Sequence, residues 1–115
     1  MMVSAEAIGK DYDGFVANLR SKFPNVEPFL LIKSMMLARK YPHEYNQSFY
    51  IDLYVRQGAD PDRKRAEIFA RTGIFAANHG HNHLSLSLNT TLDTILELAS
   101  DQDIANIEGE VFPFS

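Results

Sequence analysis

Residues 75–89 read FAANHGHNHLSLSLN, and from His79 onward polar and apolar side chains alternate without interruption. His79, His81, His83, Ser85 and Ser87 share one parity, while Leu84, Leu86 and Leu88 share the other. Side chains of a β-strand point to opposite faces with period two, so the pattern predicts a strand over 82–89. Its leucines face a core, and His83 and the serines face away from it. A half-buried strand needs partners with the same sidedness, which points to a sheet with one covered and one open face.

A matching partner lies upstream. In SFYIDLYVR, residues 48–56, Phe49, Ile51, Leu53 and Val55 alternate with Tyr50, Asp52, Tyr54 and Arg56. These are strand-forming residues in strict alternation. Asp60-Pro61 then offers a helix cap followed by proline at the first helical position, and Gly73 offers a stop, so 61–72 reads as a helix with Ala66, Ile68 and Phe69 inward. Its Arg63-Lys64-Arg65 run, flanked by Asp60, Asp62 and Glu67, reads as a solvated face. Residues 74–78 form a short apolar strand candidate, and His79-Gly80 falls where a turn must precede the leucine strand. Thr90 or Thr91 caps a helix carrying Leu92, Ile95, Leu96 and Leu98. A last strand runs over 104–112, with Ala105, Ile107 and Val111 on one face and Asn106, Glu108 and Glu110 on the other.

Strand, helix, strand, strand, helix, strand is the ferredoxin-like split βαβ plan. The fold class expected is α+β: a ferredoxin-like βαββαβ antiparallel sheet over residues 43–115 with a helical extension over 1–42, in a single domain. In that plan the first and third strands are central and the fourth lies beside the first. The extension holds two helices. Asp11 can cap the first, with Tyr12, Phe15, Val16, Leu19 and Phe23 in 3.6-residue period, and residues 1–10 read as a loose lead-in. Asn25 can cap the second, over 25–41, which is apolar nearly all round and is suited either to the core or to a contact with another chain. The two helices could cover the open face, extend the helical layer or dimerise.

At 115 residues the chain can bury a sizeable core. The absence of cysteine removes disulfides, thiolate metal sites and cysteine nucleophiles, and fits a reducing compartment. The N-terminus, MMVSAEAIGK, lacks the pattern of a signal peptide, and the most apolar stretch is too short to span a membrane, so a cytoplasmic protein is expected, with no membrane partner.

The end of the chain adds a resemblance. DQDIANIE, residues 101–108, is similar to the helix-to-last-strand segment of the propeptide or inhibitor domain of subtilisin-type serine proteases, which ends in a Val/Ile-Glu pair. The plan over 48–114 resembles that family as a whole. The resemblance implies that the sheet packs on a protease and that the tail, residues 111–115, lies along its active-site cleft. It also implies export, which the N-terminus does not support.

Four functions compete for the open face. His79, His81 and His83 lie in HGHNH, and strand residues i and i+2 project to one side about 7 Å apart. They could therefore converge on zinc, iron, nickel or copper, with Asp52, Glu108 or Glu110 adding an oxygen. A turn at Gly80 would break that alignment, and an exposed polar turn with no cofactor is the plainer reading. Tyr50 and Tyr54 would suit stacking of RNA bases, but the third strand has serines where RNA-recognition domains have aromatics, and the net charge of −4 disfavours phosphate. Glu108 and Glu110 with His83 could perform acid–base chemistry, yet no nucleotide-binding loop or nucleophile elbow accompanies them. The fourth reading is the one adopted: a binding module without catalytic activity of its own, a regulatory, adaptor or inhibitory partner of another protein and itself a homodimer. Its binding face comprises Tyr50, Asp52, Tyr54, His83, Glu108, Glu110, Phe112 and Phe114, since exposed aromatics of this kind mark interaction sites.

Overall fold

Two alternating strands place five side chains of β1 and four of β3 on a common side, and burial follows that parity. Along β1 (Gln47–Val55) every second residue is buried, with Phe49, Ile51 and Leu53 almost wholly withdrawn from water. Each such side chain contributes about 1.5–3 kcal/mol relative to exposure. β3 (His83–Thr90) repeats the pattern through Leu84, Leu86 and Leu88. The computed structural model describes residues 4–113. Around these strands lie α1 (Ala5–Lys22), α2 (Pro28–Lys40), α3 (Pro61–Thr72), β2 (Ala77–Asn78), α4 (Leu92–Ala99) and β4 (Ile104–Pro113).

The protein is a mixed α+β fold, with four helices and a four-stranded antiparallel sheet among the described residues, in the order β2-β3-β1-β4. β1 and β3 are central, and β4 lies on the far side of β1. The core joins Phe49, Ile51 and Leu53 to Ile68 of α3, Ile95 and Leu98 of α4, and Leu30 and Leu31 of α2. The second helix therefore extends the helical layer. Ser34 and Gln47 bind it to the start of β1: the Ser34 hydroxyl donates to Gln47 Oε1 at 2.5 Å, and Gln47 Nε2 donates to the Ser34 carbonyl at 2.9 Å. Buried polar groups paired in this way avoid the penalty of an unmade hydrogen bond.

Several local expectations are corrected. The first helix begins at Ala5, capped by Ser4, whose hydroxyl accepts from Ala7 N; Asp11 lies inside the helix, and residues 5–10 are not a lead-in. Glu27 caps α2. Asn25 instead donates to the carbonyls of Ala99 and Ile104, while its own carbonyl accepts from Ile107 N, so the segment before α2 docks beside β4. In α3 the buried positions are Lys64 and Ile68; Ala66 and Phe69 are exposed, because Phe69 stacks on Phe75 at the surface. Strand β2 is confined to Ala77–Asn78. In β4 the register shifts opposite Tyr54 and Val55, so Ile104 faces the core and Ala105 does not. A bulge adds one residue and reverses the parity on its far side.

Lys64 shows how a charge is kept under α3. Its ammonium lies 2.6 Å from Glu67 and from Asp101 and 3.4 Å from Asp103. Burial alone would lower its pKa, but the hydrogen bonds to Asp101 and Glu67 outweigh burial and hold it above the ordinary lysine value. Burial would likewise raise Asp101, yet Lys64 and the Asp103 backbone N–H hold it below the usual carboxylate range.

Candidate functional site on the open sheet face

The face opposite the core is ordered by the strand registers. Asp52 stands between Ser85 and Glu108, Tyr50 between Ser87 and Glu110, and Ser48 between Asn89 and Phe112. Tyr54 stands between His83 and Asn106. The residues expected on the open face are therefore brought together there, Phe114 excepted, which lies outside the described residues. Val111–Pro113 of the expected tail belong to β4, with Val111 buried.

At one end of the face the polar side chains interlock. His83 Nε2 lies 2.7 Å from Asp52 Oδ1, and the His83 ring stacks on Tyr54 with centroids 4.7 Å apart. The Tyr54 hydroxyl donates to Glu108 Oε1 at 3.0 Å. That hydrogen bond, followed by burial and the charges of Glu108 and Asp52, raises the phenol pKa above its usual value. His79 Nε2 lies 2.6 Å from Ser85 Oγ, and its ring tilts against His83 with centroids 4.8 Å apart.

The three histidines do not converge. Gly80, His81 and Asn82 all have positive φ, and His83 N donates to the Gly80 carbonyl at 3.1 Å, closing a tight turn. His81 sits on that turn, exposed, while His83 opens β3 and the His79 ring, just before the turn, lies against it. Among the described residues no three His, Asp or Glu side chains are disposed to hold a metal ion. The Ser85–His79 pair has the atoms of a general base beside a hydroxyl, but among the described residues no carboxylate hydrogen-bonds to His79. Asp52 serves His83 instead. The geometry makes this end a fixed polar patch.

The other end is aromatic. The rings of Tyr50 and Phe112 meet edge to face at 5.6 Å, and Lys33 of α2 reaches over Phe112, 4.4 Å from its centroid. Tyr50 remains 52% exposed and Phe112 39%. Tyr50 also borders two shallow hollows. One, of about 400 Å³, includes Phe75, Asp52, Ser85 and Ser87; the other, of about 640 Å³, includes Ser48, Glu110 and Phe112. Phe75 and Lys33 are additions that the strand pattern did not supply. Phe75 precedes β2 and is exposed beside Phe69, and only a register for residues 74–78 could have placed it.

Gly109 makes the two ends continuous. It has φ 144° and lies opposite Ile51; a Cβ there would overlap the Tyr50 carbonyl and stand 2.8 Å from Ile51 Cα. Only glycine lets β4 approach β1 this closely between Glu108 and Glu110. No protein-family model, curated protein or solved structure matches the chain.

Proposed function

We propose that the chain is a protein-binding module, regulatory or inhibitory in role, whose partner sits on the open face of the sheet. The observation that carries this reading is the exposed Tyr50–Phe112 aromatic pair on a face otherwise built of fixed polar groups. An apolar centre with a polar rim is how protein interfaces are composed, and tyrosine and phenylalanine are enriched at their cores. Asp52, Glu108 and Glu110 make the rim acidic, so the complementary surface carries Arg or Lys around apolar side chains. The same three carboxylates oppose a phosphate backbone, which leaves RNA binding without support.

The ferredoxin-like reading of residues 43–115 belongs to this proposal. It draws support from the strand–helix–strand repeat, the central β1–β3 pair and the helices gathered on one face. The inhibitory form, in which the sheet packs on a protease, follows from the resemblance of residues 101–108 and needs a tail beyond β4.

The test is paired substitution. Tyr50→Asp with Phe112→Asp removes the aromatic centre from surface positions, so folding is retained while a partner co-purified with the wild-type chain is lost. Arg63→Glu on the helical side serves as the control and keeps the partner. Equal recovery with the face substitutions rejects the reading.

A further inference from the structure

Strand β4 lies at one edge of the sheet, and its outer side is taken only in part. Ile107 N donates to the Asn25 carbonyl at 2.7 Å, and Glu27 N donates to the Ile107 carbonyl at 2.8 Å, so Val26 forms a parallel bridge there. In an antiparallel ladder, alternate residues turn both backbone groups to the same neighbour. The β1–β4 register is continuous from the Leu53–Ile107 pair to the Gln47–Pro113 pair. Gly109 and Val111 therefore turn their N–H and C=O groups outward, as Ile107 does. The chain leaves this lane where α2 begins at Pro28, and among the described residues no strand continues it. Pro113 has no N–H and closes the row. Gly109 and Val111 thus offer donors and acceptors about 7 Å apart along the edge, the repeat of an extended chain.

Both sides of this edge carry exposed apolar side chains. On the open face lies the hollow of about 640 Å³ bordered by Tyr50, Glu110 and Phe112. On the helical side, Phe29, Lys33, Met36 and Lys40 are spaced four, three and four apart and form one exposed stripe of α2, with Phe29 and Met36 each 64% exposed. Lys33 ties the stripe to the edge. It starts on α2, and its ammonium lies over the Phe112 ring on the other face, so its side chain passes around β4. Helix α2 carries Lys33, Arg39 and Lys40 and no acidic residue, whereas the open face carries Glu110. An extended chain added to β4 would send alternate side chains to these two sides. A second copy of β4 does not suit the edge. The antiparallel register that pairs Gly109 with Val111 of the copy sets Glu110 directly opposite its own counterpart, and like charges so placed repel.

We propose that the outer edge of β4 takes up an extended segment of a partner protein, which adds a strand beside Gly109 and Val111. Main-chain hydrogen bonds hold such a strand, and its alternate side chains give specificity. The segment sets an apolar and a basic side chain over Tyr50, Phe112 and Glu110. It sets an apolar and an acidic side chain toward Phe29, Met36 and Lys33, and Lys33 turns from the Phe112 ring to that carboxylate. This docking mode rests on the sheet-face reading, because Tyr50 and Phe112 belong to both surfaces.

The probe is a displayed library of short random peptides, selected on the immobilised full chain, with amide exchange read by NMR. Exchange at Gly109 and Val111 should be fast in the free chain, and a selected peptide should slow both at least about tenfold. Lys33→Glu should weaken that peptide at least about tenfold by reversing one charge contact, with an unchanged far-ultraviolet spectrum, while Arg63→Glu leaves binding intact. Slow exchange at both amides in the free chain overturns the proposal. So does a library that yields no binder, or binding indifferent to Lys33→Glu. A peptide that perturbs Tyr50 and Phe112 while both amides still exchange freely overturns the added strand and leaves the sheet-face reading standing. A partner that Tyr50→Asp with Phe112→Asp fails to release rejects the sheet-face reading, and this docking mode with it.

Discussion

His83 and Asp52 are diagonal neighbours across the β1–β3 ladder, and the imidazole Nε2 reaches the carboxylate at 2.7 Å instead of turning toward solvent. This contact lays the imidazole flat on its direct partner Tyr54, which in turn donates to Glu108 on the other side of β1. A chain of side chains thus crosses three strands, and it explains why polar residues on an open face hold one geometry.

Asp52→Ala should release that chain at its His83 end. The pair is partly exposed, so stability changes by less than about 1 kcal/mol. The ring-current shifts that His83 imposes on the Tyr54 ring protons should collapse toward random-coil values in proton NMR. Unchanged shifts would show that stacking alone orients His83.

Glu108→Gln should lower the titration midpoint of Tyr54. The Glu108 carboxylate accepts the phenol proton and opposes the phenolate, and it is the leading cause of the raised value. Ultraviolet difference titration against Tyr54→Phe isolates this residue. The midpoint should move toward that of an ordinary tyrosine, and a rise would contradict the assignment.

Gly109→Ala should destabilise the fold by about 2 kcal/mol or more, since the new methyl meets backbone rather than a side chain that can move. Gly58→Ala has the same kind of left-handed backbone but open space around it, so it should cost less. Chemical denaturation of the two variants side by side measures the difference.

Lys64→Met should reduce stability by about 1–3 kcal/mol by leaving Asp101 without its cation. It should also change the pH dependence. Asp101 has a depressed pKa, so its contribution is present above the ordinary carboxylate value near 3.8 and is lost as pH falls through the lower folded value. Lys64 is raised, so its contribution persists until strongly alkaline pH. Between neutral pH and pH 2 the variant should therefore show a shallower acid limb in thermal melts than the wild type.

Much of this was legible in the chain because period two is hard to satisfy by accident. Phe49, Ile51, Leu53, Leu84, Leu86 and Leu88 announced which side of each strand is buried, and with it the composition of the open face. Asp60-Pro61 and Gly73 marked the ends of α3 at the backbone level. What escaped were features set by contacts distant in sequence. The bulge at Ala105 depends on how β4 meets Tyr54 and Val55, and Asn25 turned from a helix cap into a tie to Ala99 and Ile104. The histidine spacing could not show a local feature of the backbone: Gly80, His81 and Asn82 all take positive φ, and among the described residues the three histidines do not form one cluster.

The central claim is that a partner occupies the open face. A photo-reactive amino acid placed at Tyr50, compared with one at Arg63 on the opposite layer, tests it most directly in cells that express the full chain. The account predicts a discrete protein adduct from position 50, lost when Phe112→Asp is added, and none from position 63. Adducts from position 63 alone, or the same adducts from both, would contradict it.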